Sequence, residues 1–218
     1  MPRVEDSDAV IIAGTLMNDF NTGAYTSNLD PARIIDIRHH HVRVGGMTYQ
    51  SVEMNDLLRT LAVQLPRNPL SAPDAGSDAP ITAAHLYPRW ERFLKPDNIL
   101  VAETGTVSMG MAFTRLPQGA TFQNQTLWGS IGWATPAAVG AALAAKDDRR
   151  VVLITGEGSH QVMVQEIGQF GRLGLRPVVF ILSKNGYLIE HLLCAHPDIP
   201  CNDVPLWRYT DLPEAPGL

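Results

Sequence analysis

Cysteine is nearly absent: Cys194 and Cys201 are the two thiols among 218 residues. Two thiols make no disulfide framework, so the expected setting is a reducing compartment, the cytoplasm. Positive charge is also short, with 17 Lys and Arg against 22 Asp and Glu and a net charge of −5. That balance excludes general nucleic-acid binding, which needs a basic face for the phosphates. No apolar run approaches the roughly 20 residues that span a bilayer, so no membrane segment is expected. The opening Met1-Pro2-Arg3-Val4-Glu5-Asp6 is polar and acidic and does not read as a secretory signal. No repeat recurs at a fixed period. Charged residues make up only 18% against 45% apolar, which excludes a highly charged disordered chain and predicts a folded, soluble one.

What is present is an alternation of short apolar runs and helical repeats. Ala9–Gly14 and Arg33–Ile37 read as strands. Val52–Leu65 carries Val52, Leu57, Leu58, Leu61, Ala62 and Leu65 near a helical spacing. With so few strands, this first stretch reads as too small for an independent α/β domain. Pro66–Pro80 is a linker by composition and marks a domain boundary. Beyond it, helices are predicted over Thr82–Leu94 with Thr82 as cap, Thr106–Arg115, Ser130–Ala145, Ser159–Leu173 and Leu188–Ala195. Strands are predicted over Asn98–Glu103, Val151–Thr155 and Val178–Leu182. Strands alternating with helices predict an α/β fold, a parallel sheet with helices on both faces.

The densest chemistry lies at the ends of two of those strands. Gly156-Glu157-Gly158-Ser159 follows one strand and opens a helix, and Ser183-Lys184-Asn185-Gly186-Tyr187 follows the next. A dinucleotide fingerprint needs a third glycine where Gln161 stands, and an acidic residue after the next strand. A phosphate or metal site is the favoured reading, because Glu157 and Ser159 stand where backbone N–H groups converge. A purely structural tight turn is the alternative. His39-His40-His41 reads as a surface or turn cluster, since neighbours on a strand point to opposite faces. Cys194, His196 and Cys201 lack the fourth ligand and paired spacing of a metal site. No Gly-x-Ser-x-Gly elbow offers a hydrolase nucleophile, and Met109–Met111 reads as core.

Several motifs together resemble the thiamine-diphosphate 2-oxo-acid decarboxylases of the pyruvate and indolepyruvate branch. They are Glu103-Thr104-Gly105-Thr106, Leu127-Trp128-Gly129-Ser130-Ile131-Gly132, Gly156-Glu157-Gly158-Ser159, Val164-Gln165-Glu166-Ile167, Gly174-Leu175-Arg176-Pro177 and Ser183-Lys184-Asn185-Gly186-Tyr187-Leu188-Ile189-Glu190. Asp19-Phe20-Asn21-Thr22-Gly23 resembles the end of the family's central domain. The resemblance covers nearly the whole chain. It implies residues 1–65 as the end of a central domain, 66–80 as linker and 81–218 as the diphosphate-binding domain, cut short at its C-terminus. It also implies that a pyrimidine-binding domain is missing, so that the site is completed by a second copy or a full-length relative.

By the same resemblance the cofactors are thiamine diphosphate and Mg²⁺, and the substrate is a 2-oxo acid that loses CO₂ to give an aldehyde. Thr106, Gly158 and Ser159 would hold the diphosphate, with Thr104, Ser130, Glu157, Gly186, Tyr187 and Ile189 around the cofactor. The Gly129 carbonyl would accept a bond from the cofactor's amino group, and Ile131 would wedge it into a bent form. Glu190 matches the catalytic glutamate. Glu157 and Gly186 match metal ligands, but Lys184 occupies the position of a ligand asparagine, and an ammonium has no lone pair for a cation. Either flanking Ser183 or Asn185 supplies an oxygen, or the Lys184 charge meets the diphosphate directly. A non-catalytic remnant that pairs with a full-length relative is the alternative function.

Overall fold

The computed structural model describes residues 2–15, 17, 22, 25–64, 81–145 and 149–214. The linker read at 66–80 and most of the 19–23 motif lie outside them. Backbone contacts divide the chain into two compact units, Met1–Pro69 and Leu70–Leu218.

The first unit opens with one helical turn, α1 (Pro2–Glu5). Its sheet holds β1 (Val10–Ala13), β2 (Ile34–Ile37), β3 (His41–Val44) and β4 (Met47–Gln50) in that order. β1 and β2 pair in parallel, and β2, β3 and β4 are antiparallel neighbours. Helix α2 (Met54–Gln64) follows. The hairpin β3–β4 corrects the expectation of few strands: polar residues alternate through it, and Gly45 supplies the left-handed turn at φ 55°. His39 and His40 lie in the bend before β3, exposed, with Nδ1 of His40 2.8 Å from Oε1 of Glu53.

The second unit is built on β5 (Ile99–Ala102), β6 (Thr121–Gln123), β7 (Val151–Gly156) and β8 (Val178–Leu182). All pairings are parallel, in the order β6-β5-β7-β8. Parallel strands covered on both faces have no solvated side, which is why β5 and β7 read as unbroken apolar runs. Successive side chains on a strand alternate between faces. Leu100, Ala102, Val152 and Ile154 pack on one side with Trp90 and Leu94 near the end of α3 (Ala83–Phe93) and Val107 and Met111 of α4 (Thr106–Met111). Ile99, Val101, Val151 and Leu153 pack on the other with Ala134, Ala138 and Val139 of α5 (Ala134–Ala144). Phe170 of α7 (Ile167–Arg172) joins that second layer. The helices do cover both faces, and the Ala-rich sequence of α5 lets its backbone approach the sheet closely.

Several element bounds differ from the expectation. Thr82 does cap α3, accepting the His85 N–H. The helix expected over 159–173 is broken instead into α6 (Glu157–Val162), a 3-10 turn at Val164–Glu166 and α7. Met163 leaves helical geometry there, at φ −131° and ψ 34°. α4 stops at Met111, where tighter bonds from Phe113 to Gly110 and Thr114 to Met111 take over. α5 cannot begin at Ser130, because Gly129 and Gly132 are left-handed at φ 64° and 84°. The last helix is α8 (Leu188–Leu193).

Leu153 is fully buried on β7, one of the two inner strands of the sheet. Leu153→Ala should therefore lower the unfolding free energy of this unit by about 2–5 kcal/mol. Urea denaturation measures it, and a loss below about 1 kcal/mol would contradict the inner placement of β7.

Candidate functional site

Because the four strands run parallel, the turns that follow them share one edge of the sheet. Each turn carries a motif: Glu103–Thr106 after β5, 124–132 after β6, Glu157–Ser159 after β7 and 183–187 after β8. Such an edge is where open α/β sheets hold ligands.

The turns after β7 and β8 are joined by one carboxylate. Glu157, only 2% exposed, directs Oε1 to the backbone N–H of Lys184 at 3.0 Å and of Gly186 at 2.9 Å. Its other oxygen, Oε2, is shut away from solvent and accepts no hydrogen bond. The Lys184 ammonium stands 3.7 Å from it and donates to the Gly186 carbonyl at 2.7 Å. Gly158 lies against the Tyr187 ring so closely that a methyl group there would overlap it. Behind this turn, the Tyr187 N–H bonds the Asn202 carbonyl at 2.9 Å.

The turns after β5 and β6 are stitched in the same way. Thr104 Oγ1 donates to the Gln125 carbonyl, Thr126 Oγ1 to Ser108 Oγ, and the Ser130 N–H to Gln125 Oε1. Tyr87 donates to the Thr106 carbonyl at 2.8 Å. Gly129 faces open space, with no atom near the position a side chain would take. Leu127, Trp128, Gly129, Ser130 and Ile131 are all exposed.

Of the residues singled out from the sequence, Glu157 thus meets Lys184 and Gly186, and Gly158 meets Tyr187. Thr104, Thr106, Gly129, Ser130 and Ile131 line the neighbouring turns. Ser159 is buried on α6, Ile189 is half-buried on α8, and Glu190 is exposed in the first turn of α8. Cys194, His196 and Cys201 do not form a metal-ligand group among the described residues. His39, His40 and Glu53 do gather, all exposed, in the first unit.

Sequence reasoning missed three buried polar residues. Glu103, with no exposure, accepts from the N–H of Thr104 and Ala134 and from Thr155 Oγ1, so it ties β5, α5 and β7 together. Burial raises its pKa, while those bonds and one from the Gly132 backbone oppose the rise. The part of stability that depends on its proton is full at low pH and lost as pH rises through the raised pKa. Thr155 is buried at the end of β7. His160, also without exposure, has Nδ1 3.3 Å from Thr135 Oγ1, and its Nε2 has no partner. Burial lowers its pKa. An acidic residue ending an apolar strand was the visible signal for Glu103. His160 gave none.

Fold and site together define an α/β domain whose motif-bearing turns gather at the carboxyl edge of a parallel sheet, the edge at which such sheets hold ligands. Residues 103–191 match the family model of the thiamine pyrophosphate enzyme C-terminal TPP binding domain. The chain is 37% identical over 227 aligned residues to the alpha-keto-acid decarboxylase of Mycobacterium avium, covering 99% of this chain and 40% of the relative. Against the alpha-keto-acid decarboxylase of Mycobacterium tuberculosis strain H37Rv the identity is 38%, with the same coverage. The chain thus spans about two fifths of the length of these curated relatives, 40% of each. The crystal structure of benzoylformate decarboxylase from Polynucleobacter necessarius superposes with a TM-score of 0.65 at 19% identity, over 98% of this chain and 44% of that one. The thiamine diphosphate-dependent 4-hydroxybenzoylformate decarboxylase of Rhodococcus jostii RHA1 gives 0.66 at 21%, over 98% and 43%. At such identities the likeness is one of fold. Residues 103–191 thus resemble the C-terminal domain of thiamine pyrophosphate enzymes, and nearly the whole chain aligns with a part of alpha-keto-acid decarboxylases. Among the described residues no helix is long and apolar enough to cross a membrane.

The neutral, buried His160 generates a pH prediction. The unfolded chain takes up its proton near the ordinary value of 6.5, while the folded chain resists until a lower pH. Stability therefore falls as pH drops below that value. His160→Gln should flatten this decline in thermal melts, and an unchanged slope below about pH 6.5 would contradict the assignment.

Proposed function

We propose that this chain supplies the diphosphate-holding half of a thiamine-diphosphate-dependent 2-oxo-acid decarboxylase, acting on pyruvate or an aryl-pyruvate. One observation carries the reading: Glu157, Gly158, Lys184, Gly186 and Tyr187 meet at the strand edge inside the matched domain. The residues fit the phosphate end of the cofactor. Thr106 and Ser159 offer hydroxyls, Lys184 a cation, and the open Gly129 turn admits a ligand against the backbone. Thiamine diphosphate, when bound, supplies the electron sink for loss of CO₂.

The chain's own residues then have distinct tasks. Thr106, Gly158 and Ser159 would hold the phosphates. The Gly129 carbonyl and the Ile131 side chain would orient the ring, which lowers the barrier by proximity. Thr104, Ser130, Tyr187 and Ile189 would shape the wall. Glu190, exposed on α8, would move the proton at the reacting carbon as a general acid–base group.

Mg²⁺ does not fit these residues as they stand. The carboxylate and carbonyl that would ligate it are turned to Lys184 Nζ, which has no lone pair to give. Exposed Leu127, Trp128 and Ile131 after β6, Val162 after β7, and Leu188 and Leu192 after β8 support a further protein surface closing this edge. That surface would carry the pyrimidine-binding half, in a homo-oligomer or with a full-length relative.

Titration calorimetry on these 218 residues should show binding of thiamine diphosphate but not of thiamine. Thr106→Val and Ser159→Ala should each weaken it by about 0.5–1.5 kcal/mol, the worth of one hydrogen bond. Equal binding of thiamine and its diphosphate would refute the site. The same residues alone should release no aldehyde from pyruvate, indolepyruvate or phenylpyruvate. Aldehyde release that is abolished by Glu190→Gln would instead make the isolated chain a complete enzyme.

A further inference from the structure

The surroundings of Glu157 Oε2 call for a cation. A carboxylate oxygen taken out of water without a hydrogen bond is costly unless a positive charge lies beside it. Here that charge is Lys184, 3.7 Å away, and the same ammonium is fixed by the Gly186 carbonyl at 2.7 Å. A carboxylate and a backbone carbonyl are the hard oxygen donors that hold divalent ions elsewhere. In this chain they are already satisfied by a covalently attached cation. An entering divalent ion would have to expel Lys184 from between these two oxygens. The Lys184 side chain remains 30% exposed, and its ammonium has three donors of which the carbonyl takes one.

We propose that Lys184 is the resident cation of this site, bridging Glu157 and Gly186 and contacting a diphosphate directly, so that the ligand binds without a divalent metal. This rests on the reading that the strand edge holds a diphosphate. It extends that reading by making the site metal-independent. The backbone is consistent with a fixed position for the lysine. Its own N–H is bonded to Glu157 Oε1, and Asn185 beside it is left-handed at φ 62°, so the turn presents the chain in one conformation.

The test is calorimetry with inorganic pyrophosphate on the whole chain, once in EDTA and once in excess Mg²⁺. Wild type should bind with affinities that agree within about twofold. Lys184→Met should lose at least tenfold in EDTA, roughly the worth of one charge-assisted hydrogen bond. Lys184→Arg should keep chelator-resistant binding, and Lys184→Asn should gain tenfold or more on adding Mg²⁺. Wild-type binding that rises tenfold with Mg²⁺ would overturn the proposal while leaving the diphosphate site standing. Chelator-resistant binding undiminished in Lys184→Met would do the same. No pyrophosphate binding under either condition would overturn the diphosphate reading, and this proposal with it. The wild-type comparison decides even if a variant fails to fold, and Mg²⁺ alone should leave the wild-type melting temperature unchanged.

Discussion

The bond from Glu157 to the turn after β8 is the contact on which the site depends. A carboxylate at the end of β7 accepts two backbone N–H groups from a loop that contributes Lys184, Gly186 and Tyr187. Those N–H groups would otherwise be unpaired at a buried strand edge, where each would cost free energy. Satisfying them from one side chain fixes the loop relative to the sheet. It also leaves Oε2 facing Lys184.

A second buried carboxylate does the same work on the other side. Glu103 joins the β5 turn to the start of α5 and to Thr155 on β7. Both carboxylates follow apolar strands and both accept backbone donors, so the floor of the site is a set of turns locked to strand ends. What lies above that floor is different in kind. Trp128 is 76% exposed and Leu192 is 69% exposed, and Glu190 is also exposed. A floor of hydrogen-bonded turns thus lies beside exposed apolar side chains.

Much of this was legible in the sequence. β5, β7 and β8 are apolar runs bounded by turn residues, and their periodicity is enough to order them into a parallel sheet. β6 was not legible, because Thr121–Gln123 is three residues long and holds a single large apolar side chain, Phe122. The β3–β4 hairpin hid behind polar alternation despite its Gly45-Gly46 turn. The break at Met163 was not legible either, since nothing in the surrounding residues signals a stop there. Site residues declared themselves through glycine and acid at strand ends. Glu103 carried that signal too, but its bond to a residue 31 positions away was not legible, and Thr155 and His160 gave no signal because their bonds reach residues 52 and 25 positions away in the chain.

The central claim is that a diphosphate settles on the turns at the β5, β7 and β8 ends with Lys184 as its cation. The most direct measurement is a titration of the ¹⁵N-labelled chain with pyrophosphate in EDTA, followed by amide chemical shifts. The account predicts saturable shifts confined to Thr104–Thr106, Glu157–Ser159 and Lys184–Tyr187. Shifts centred on the His39–His40 bend, or none at all without Mg²⁺, would contradict it.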